Sequence, residues 1–274
     1  MRDYPLYIER ERTMRIALSI CATLVMATPA FAFVPKNATT NTVEIALETI
    51  ERNNMILVDA RVNGQPCTMI FDTGTTHTTL DSEFVEKNFP NATLTPVAVM
   101  GDTNVAEAPK SFHVDTLSIG EAEYKDFSAM SINLDHITKQ VGRKIDGILG
   151  MNVILTRQVL MQVSQSKVII NPPAKDLEGF WKARRSVAKD PLEMVIIAEL
   201  GGRKIPLLFD SASTWTILPE DLPLKIGGDI VVKPMVTDNV APRIGADMLR
   251  NYDALFGVGY LALRPARNTG GSSL

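Results

Sequence analysis

The chain contains an internal repeat that limits the folds it can adopt. Residues 63–80 (NGQPCTMIFDTGTTHTTL) and residues 201–218 (GGRKIPLLFDSASTWTIL) align without a gap at a constant offset of 138. Average composition gives about one identity over such a length, whereas this alignment has six: Gly64/Gly202, Phe71/Phe209, Asp72/Asp210, Thr76/Thr214, Thr78/Thr216 and Leu80/Leu218. The repeat predicts two copies of one structural unit, related by an approximate two-fold axis.

Each copy has the pattern of a β-hairpin that ends in an aspartate. In the first copy, residues 55–62 are β-prone, Asn63-Gly64 is a strong turn signal, and a returning strand over residues 66–71 precedes Asp72. In the second copy, the same order of strand, Gly-Gly turn and strand precedes Asp210. Each unit therefore presents an aspartate at a strand end, followed by a loop of small, hydroxyl-bearing residues.

A second pair of matching blocks closes each copy. The first block is Gly147–Asn152 and the second is Arg243–Asp247, and a β-prone stretch follows each of them. Glycines within strand-like segments are typical of places where backbones approach closely. Turn signals recur throughout and no long amphipathic helix competes with them. The sequence therefore predicts an all-β fold with short helices at residues 152–159 and 248–255.

The two aspartates indicate acid–base chemistry. A single Asp-Thr-Gly is weak evidence, because an aspartate at a strand end is also typical of a turn. Two lobes related by two-fold symmetry would, however, bring Asp72 and Asp210 face to face. Carboxyl groups that close cannot both ionise, so one keeps a proton while the other acts as a base. Such a pair can activate a water molecule without a metal ion or a covalent intermediate.

Four short motifs carry a resemblance to a known family. They are IFDTGTT at 70–76, ILG at 148–150, LFDSAST at 208–214 and IGA at 244–246. They resemble the pepsin/retropepsin family of aspartic proteases, and most closely its exported bacterial, two-lobed retropepsin-like form. The resemblance implies a bilobed acid-protease barrel fold with a shortened second lobe. It further implies an aspartic endopeptidase that hydrolyses peptide or protein substrates and uses no cofactor and no metal ion.

The resemblance also assigns roles to single residues, with Asp72 and Asp210 as the catalytic pair. The residues expected to support the pair are Thr73, Gly74, Thr75, Ser211, Ala212 and Ser213. Among these, the hydroxyl groups of Thr73 and Ser211 are expected to bond to the backbone beneath the pair. The hydroxyl groups of Thr75 and Ser213 are expected to bond to the outer carboxylate oxygens.

A hairpin that covers the substrate, the flap, is expected over residues 97–105. Its tip and substrate contacts are assigned to Met100, Gly101, Asp102 and Thr103. The segment contains no tyrosine, so it lacks the flap tyrosine of pepsins. His77 and His113 are expected to be ordinary packing or surface residues, because they have no partner at metal-ligand spacing.

Two features depart from the family and leave alternatives open. Ala212 stands where a glycine normally allows close backbone approach. In addition, 78 positions separate Asp72 from Gly150, but only 35 separate Asp210 from Gly245. One alternative is therefore a peptide-binding pseudoprotease with a misaligned pair. Another is a dimer of first lobes that uses an Asp72/Asp72 pair.

The N-terminal segment has the features of an export signal. An apolar run over residues 16–34 follows three arginines and ends in Pro29 and an Ala-x-Ala pair, so residues 1–32 are expected to be a cleaved signal peptide whose true start is Met14. This predicts a periplasmic or secreted protein without stable membrane insertion; the alternative is an inner-membrane anchor formed by an uncleaved signal. The remaining expected units are a first lobe at 43–172, a linker at 173–190, a second lobe at 191–266 and a disordered tail at 267–274.

Composition excludes several other classes of protein. With a formal net charge of −3, the 274-residue chain lacks the basic surface of a nucleic-acid-binding protein. Two cysteines are too few for a disulfide scaffold or a thiolate zinc site. Cys67 is interpreted as a small buried hydrophobe rather than a nucleophile. The mature protein is expected to be a monomer.

Overall fold

A computed structural model describes residues 41–97, 108–238 and 240–267. The expected leader at 1–32, the flap tip at 100–103 and all but the first residue of the expected tail lie outside these ranges. The strands, in chain order, are β1 (Val43–Ala46), β2 (Glu48–Ile50), β3 (Met55–Val62), β4 (Gln65–Phe71), β5 (Thr79–Asp81), β6 (Thr95–Pro96), β7 (Lys110–Ile119), β8 (Ala122–Ile132), β9 (Gly147–Leu149), β10 (Val159–Gln162), β11 (Lys167–Ile170), β12 (Arg184–Arg185), β13 (Val195–Leu200), β14 (Arg203–Phe209), β15 (Ile217–Leu218), β16 (Leu224–Lys225), β17 (Asp229–Ile230), β18 (Met235–Val236), β19 (Arg243–Ile244), β20 (Tyr252–Gly257) and β21 (Tyr260–Pro265).

The helices of the described residues are short. They are α1 (Ser82–Asn88), α2 (Asp135–Val141), α3 (Met151–Ile154) and α4 (Ala246–Leu249), together with 3-10 turns at Val163–Gln165 and Ala174–Leu177. The predicted all-β class with short helices is confirmed. The helices predicted at 152–159 and 248–255 are wrong in extent, because each ends at or before residue 154 or 249 and the chain then turns into β10 or β20.

The first lobe is built on an eight-stranded sheet. Its strand order is β2-β3-β4-β9-β5-β8-β7-β6, and a further antiparallel pairing of β3 with β7 closes the sheet on itself. The hairpin of β3 and β4 has the two-residue turn that the sequence predicts, with Asn63 at φ 47° and Gly64 at φ 82°. Positive φ at both positions suits the right-handed twist of the flanking strands.

The second lobe repeats the central part of this arrangement in a seven-stranded sheet. Its order is β17-β16-β13-β14-β19-β15-β18, so the run β13-β14-β19-β15-β18 matches β3-β4-β9-β5-β8 of the first lobe. The central parallel pairs are equivalent too, since β4 lies parallel to β9 and β14 lies parallel to β19. The second lobe is the shorter copy, because β18 has 2 residues where β8 has 11.

A third sheet joins the two lobes. Its order is β1-β11-β10-β20-β21-β12, and β10 of the first half pairs antiparallel with β20 of the second half. The apolar core runs across this junction: Phe209 and Phe256, whose ring centroids lie 5.5 Å apart, belong to the same buried cluster as Met161 and Phe71. The two aspartate-bearing lobes therefore share one core.

The segment between the repeats, at 173–190, packs against the second half of the chain. Its β12 pairs with β21 at the edge of the third sheet, and Trp181 packs against Tyr252 with ring centroids 5.7 Å apart. The division into lobes at 43–172 and 191–266 stays a prediction. Within the described residues, no helix is long and apolar enough to cross a membrane.

Candidate active site

Asp72 and Asp210 occupy equivalent places at the ends of β4 and β14. The backbone N–H of Asp72 donates to the carbonyl of Leu149 at 3.1 Å, and that of Asp210 donates to the carbonyl of Ile244 at 3.0 Å. Both side chains are enclosed, with residue exposures of 1% and 5%. The parallel pairings with β9 and β19 thus position the two carboxyl groups in the same way in each lobe.

Four hydrogen bonds that involve Thr73 and Ser211 tie the two aspartate loops together, two between these residues and two to the carbonyl groups that precede the aspartates. The Thr73 hydroxyl donates to the carbonyl of Phe209 at 3.0 Å and accepts from the backbone N–H of Ser211 at 2.9 Å. Reciprocally, the Ser211 hydroxyl donates to the carbonyl of Phe71 at 2.7 Å and accepts from the N–H of Thr73 at 3.0 Å. All of these groups are buried, so each bond also satisfies a polar group that has no access to water.

The loops approach each other closely at Gly74. A Cβ atom added to Gly74 would lie 2.5 Å from Cγ of Asp210, so this position tolerates no side chain without a shift. Ala212, the equivalent residue, is fully buried and belongs to an apolar cluster of the first lobe that includes Ile70 and Ile148. The Ala212 methyl group therefore packs in this cluster, and the four bonds between the loops form with it in place.

Backbone N–H groups hold the inner oxygens of both carboxyl groups. Gly74 N–H donates to Oδ1 of Asp72 at 2.7 Å. Ala212 and Ser213 N–H donate to Oδ1 of Asp210 at 3.1 and 3.0 Å. These donors fix the rotation of each carboxyl group and leave its second oxygen for other partners.

The hydroxyl groups expected on the outer carboxylate oxygens are engaged differently. The Ser213 hydroxyl donates to the carbonyl of Trp215 at 2.8 Å. Oγ1 of Thr75 is buried and has no hydrogen-bond partner among the described residues. The expectation that these hydroxyls bond the carboxylates is therefore corrected, because the Ser213 hydroxyl is turned toward its own loop.

Arg243 takes the place expected for the Ser213 hydroxyl. Its Nη1 lies 2.8 Å from Oδ2 of Asp210, and its Nε donates to the carbonyl of Ala241 at 3.2 Å. Arg243 was not among the predicted site residues. A signal was present, since an arginine opens the second block at the position where the first block has Ile148.

The environment of Asp72 favours its protonated form. Burial raises the pKa of Asp72 well above its ordinary range, and the nearby charge of Asp210 raises it further. The Gly74 N–H, the positive charge of Arg243 and the Thr75 N–H act in the opposite direction without cancelling the rise. The pair thus combines a carboxyl group whose burial favours the protonated form with a second one that contacts the guanidinium of Arg243.

A set of hydrogen bonds behind the first aspartate loop connects this loop to the closing block at residues 147–152. Thr78 donates from both its N–H and its hydroxyl to Oδ1 of Asn152, each at 2.8 Å. The N–H of Gly150 in turn donates to the Thr78 hydroxyl at 3.1 Å. Gly150 is required here, because a Cβ on it would lie 2.5 Å from the carbonyl carbon of His77.

The second aspartate loop has the same set of hydrogen bonds, with the carboxyl group of Asp247 in place of the Asn152 amide. Thr216 donates from its N–H and its hydroxyl to Oδ1 of Asp247 at 2.7 and 2.8 Å, and Gly245 N–H donates to the Thr216 hydroxyl at 3.0 Å. Burial raises the pKa of Asp247, and the hydrogen bonds from Thr216 oppose that rise. Asn152 and Asp247 were missed as positioning residues, although both stand at the same place in the matching blocks.

The remaining candidates lie away from the pair or outside the described residues. His77 is buried beside the Thr76 hydroxyl, and burial lowers the pKa of its ring; His113 is exposed beside Asp115. Burial raises the pKa of the Cys67 thiol to about 12, which makes it a poor nucleophile. Among the described residues, no group of three or more His, Cys, Asp or Glu side chains could hold a metal ion. The predicted flap residues 100–103 have no described position.

Comparison with known proteins agrees with this geometry for the first lobe. Residues 58–153 match a family model described as aspartyl protease. The match runs from the first hairpin through Asp72 to the closing block, so the first lobe is similar to an aspartyl protease domain. No match was found among curated proteins. The equivalence of the second lobe rests on the internal repeat and on the shared hydrogen bonds described above.

Proposed function

We propose that this protein is an aspartic endopeptidase that hydrolyses peptide bonds with the Asp72/Asp210 pair. The observation that carries the proposal is the bonding between the two loops beneath the aspartates: Thr73 and Ser211 exchange two hydrogen bonds, and each hydroxyl donates to a carbonyl of the opposite lobe. The aspartyl protease match over residues 58–153 supports the same chemistry independently.

The reaction proposed for this pair needs one proton and one water molecule. The charged carboxylate removes a proton from the water, and the resulting hydroxide attacks the peptide carbonyl carbon while the protonated carboxyl group donates to its oxygen. The tetrahedral gem-diol intermediate then collapses: the C–N bond breaks, the amine leaves with the proton that the pair took from water, and one hydroxyl group of the intermediate returns its proton to the pair as the carboxylic acid forms. Each turnover consumes one water molecule and returns the pair to its single-proton state.

We also propose that the mature protein works as an exported monomer. The proposal is supported by the two aspartates of one chain and by the hydrogen bonds between Thr73 and Ser211, which link the two aspartate loops within that chain. Export is proposed on the leader-like segment at residues 1–32 alone.

The test is hydrolysis of a fluorogenic peptide library between about pH 4 and 7. The full chain is compared with Asp72→Asn, Asp210→Asn and, as a control, Asp115→Asn, whose carboxyl group is on the surface. We expect cleavage by the wild type and the control, and a loss of at least about 100-fold in both pair variants. Equal activity in all four proteins would reject the pair.

Two other results would favour the alternatives. The ion pair between Arg243 and Asp210 is an observation in favour of a peptide-binding pseudoprotease, since it occupies an oxygen of the pair. Peptide binding without cleavage by any variant would support that function. Loss of activity in Asp72→Asn alone, with a dimeric mass in solution, would support the Asp72/Asp72 pair.

A further inference from the structure

The two halves of the candidate site differ in charge at one equivalent position. In the first lobe, Ile148 of β9 lies opposite Ile70 of β4 and is fully buried in an apolar cluster. In the second lobe, Arg243 of β19 lies opposite Leu208 of β14. At this equivalent position, the second lobe has a cation beside its aspartate loop, whereas the first lobe has an aliphatic side chain. The internal two-fold symmetry is therefore broken here.

The guanidinium of Arg243 is held in a defined orientation. Its Nε bonds to the Ala241 carbonyl and its Nη1 lies 2.8 Å from Oδ2 of Asp210. The side chain is only 17% exposed, so the ion pair is shielded from most of the solvent screening that weakens surface pairs. The other carboxylate oxygen of Asp210 is already held by backbone N–H groups.

We propose that Arg243 is a positioning residue that breaks the symmetry of the pair, holding Asp210 as the charged member and leaving the proton on Asp72. This inference rests on the proposed function, in which one member must be charged and the other protonated. In a symmetric pair, the single proton can reside on either carboxyl group. A cation bonded to one carboxyl group favours the negative charge there and the proton on the other group. The base of the reaction is then Asp210 and the acid is Asp72.

The charges that face the pair are few. Among the described residues, the charges that act on Asp72 are those of Asp210, which follows β14, and Arg243 on β19. His77, in the first loop, is influenced instead by Asp190. Arg243 lowers the pKa of Asp72, but its direct hydrogen bond is to Asp210, and this contact favours the negative charge on Asp210. Removing the cation should raise the pH range over which the pair carries one proton.

The experiment follows the aspartate carboxyl groups directly. The full chain, labelled with ¹³C at the aspartate carboxyl carbons, is titrated by NMR, and the resonances of the pair are assigned with Asp72→Asn and Asp210→Asn. The variants are Arg243→Ile, which installs the residue of the first lobe, and Arg243→Lys, which keeps the charge. Arg203→Ile is the matched control, because Arg203 forms an exposed ion pair with Glu220 in the same lobe.

We expect the titration midpoints of the pair to rise by about one pH unit or more in Arg243→Ile. Arg243→Lys should retain most of the wild-type behaviour, and Arg203→Ile should match the wild type. Unchanged midpoints in a folded Arg243→Ile protein would overturn the proposal. If that variant does not fold, Arg243→Gln replaces it, and unchanged midpoints there would overturn the proposal equally.

Peptide hydrolysis separates this inference from the proposed function. If the wild type cleaves peptides and the pH–rate profile of Arg243→Ile moves to higher pH, both are supported. If the wild type cleaves but the profile does not move, the role of Arg243 fails while the peptidase remains. If no protein cleaves but the NMR midpoints still rise in Arg243→Ile, the charge assignment stands and the peptidase fails.

Discussion

Gly74 and Ala212 occupy the same position in the two aspartate loops, yet they face different surroundings. The space beyond Gly74 is filled by the Asp210 carboxyl group, whereas the Ala212 methyl group packs with aliphatic side chains of the first lobe. A methyl group at position 74 would overlap the Asp210 carboxyl group unless one of them shifts, whereas the methyl group at position 212 is accommodated. Glycine is therefore needed at position 74 but not at position 212.

Substitutions at these two positions should have unequal effects. We expect Gly74→Ala to destabilise the protein by about 1–3 kcal/mol, because the new methyl group would overlap the Asp210 carboxyl group, and to abolish any hydrolysis by displacing the pair. Ala212→Gly should cost about 1 kcal/mol through backbone entropy and a lost methyl contact, with the activity retained. Urea unfolding and peptide hydrolysis measure both, and equal effects of the two changes would contradict the asymmetry.

A second prediction concerns the pH dependence of stability at Asp72. An acid with a raised pKa binds its proton more tightly in the folded protein, so the folded state loses stability as pH rises from the ordinary aspartate range toward the raised pKa. Asp72→Asn removes this penalty. We expect its melting temperature to exceed that of the wild type by a few degrees at pH 7, with the difference vanishing below about pH 4.

Thermal unfolding across pH provides the measurement. The control is Asp115→Asn, at an exposed carboxyl group, which should follow the wild type at every pH. A wild type as stable as Asp72→Asn at pH 7 would show that burial of this carboxyl group has no energetic cost.

Among the secondary-structure elements, two helices are shorter than the local sequence pattern predicts, because the residues that follow them pair as β-strands. The pattern predicts helices at 152–159 and 248–255, but α3 ends at Ile154 and α4 ends at Leu249. The residues beyond them form β10 and β20, which pair with each other across the lobes. Strand propensity depends on the partners available, and these partners are about a hundred residues apart in sequence, so the sequence pattern did not predict the boundaries.

The two hairpins, in contrast to the helices, agree with the prediction from local sequence. Asn63-Gly64 and Gly201-Gly202 form two-residue turns in which all four residues have positive φ, and the strands they join carry the aspartates at equivalent ends. Turn type and register are set here by the few residues at the turn. This local chemistry is the reason that the positions of Asp72 and Asp210 on the fold could be predicted.

The two closing blocks support a further prediction. Asn152 and Asp247 each accept two hydrogen bonds from a threonine through Oδ1, but only Asp247 has an ionisable group whose pKa burial raises. Asp247→Asn keeps both bonds and removes the cost of a buried charge, so we expect a higher melting temperature at pH 7 and no gain below about pH 4. Asn152→Asp is the converse change and should lower the melting temperature at pH 7.

Differential scanning calorimetry at the two pH values distinguishes this mechanism from a general effect of the substitutions. A loss of stability in Asp247→Asn at neutral pH would mean that the negative charge itself has a structural role at this position.

At the scale of the whole molecule, a buried polar network joins the lobes at the third sheet. Asp253 of β20 accepts at Oδ2 from Nε of Arg264 on β21 and from Nε2 of Gln162 on β10, each at 2.9 Å. Nη1 of Arg264 also donates to the carbonyl groups of Asp176 and Glu178 in the segment between the repeats. One guanidinium thus connects the second half, the connecting segment and, through Asp253, the first half.

Removing this guanidinium should destabilise the entire fold. We expect Arg264→Leu to cost about 3–5 kcal/mol, because it leaves the buried Asp253 carboxylate without its counter-ion. Arg203→Leu, at the exposed ion pair with Glu220, should cost less than about 1 kcal/mol. Urea unfolding measures both, and similar small losses would show that the network is not needed to hold the lobes together.

The repeat, the hairpins and the equivalent placement of the two aspartates could be predicted from residue pattern, because these features depend on turn chemistry and strand pattern over a few adjacent residues. Packing in the folded protein set the other contacts of the site: the Ser213 hydroxyl group turns away from Asp210, and Arg243 binds that carboxylate instead. Packing also set the pairing of β10 with β20, which joins the lobes in one sheet. These contacts link residues that are close only after folding, and their partners are selected by packing and burial rather than by local pattern.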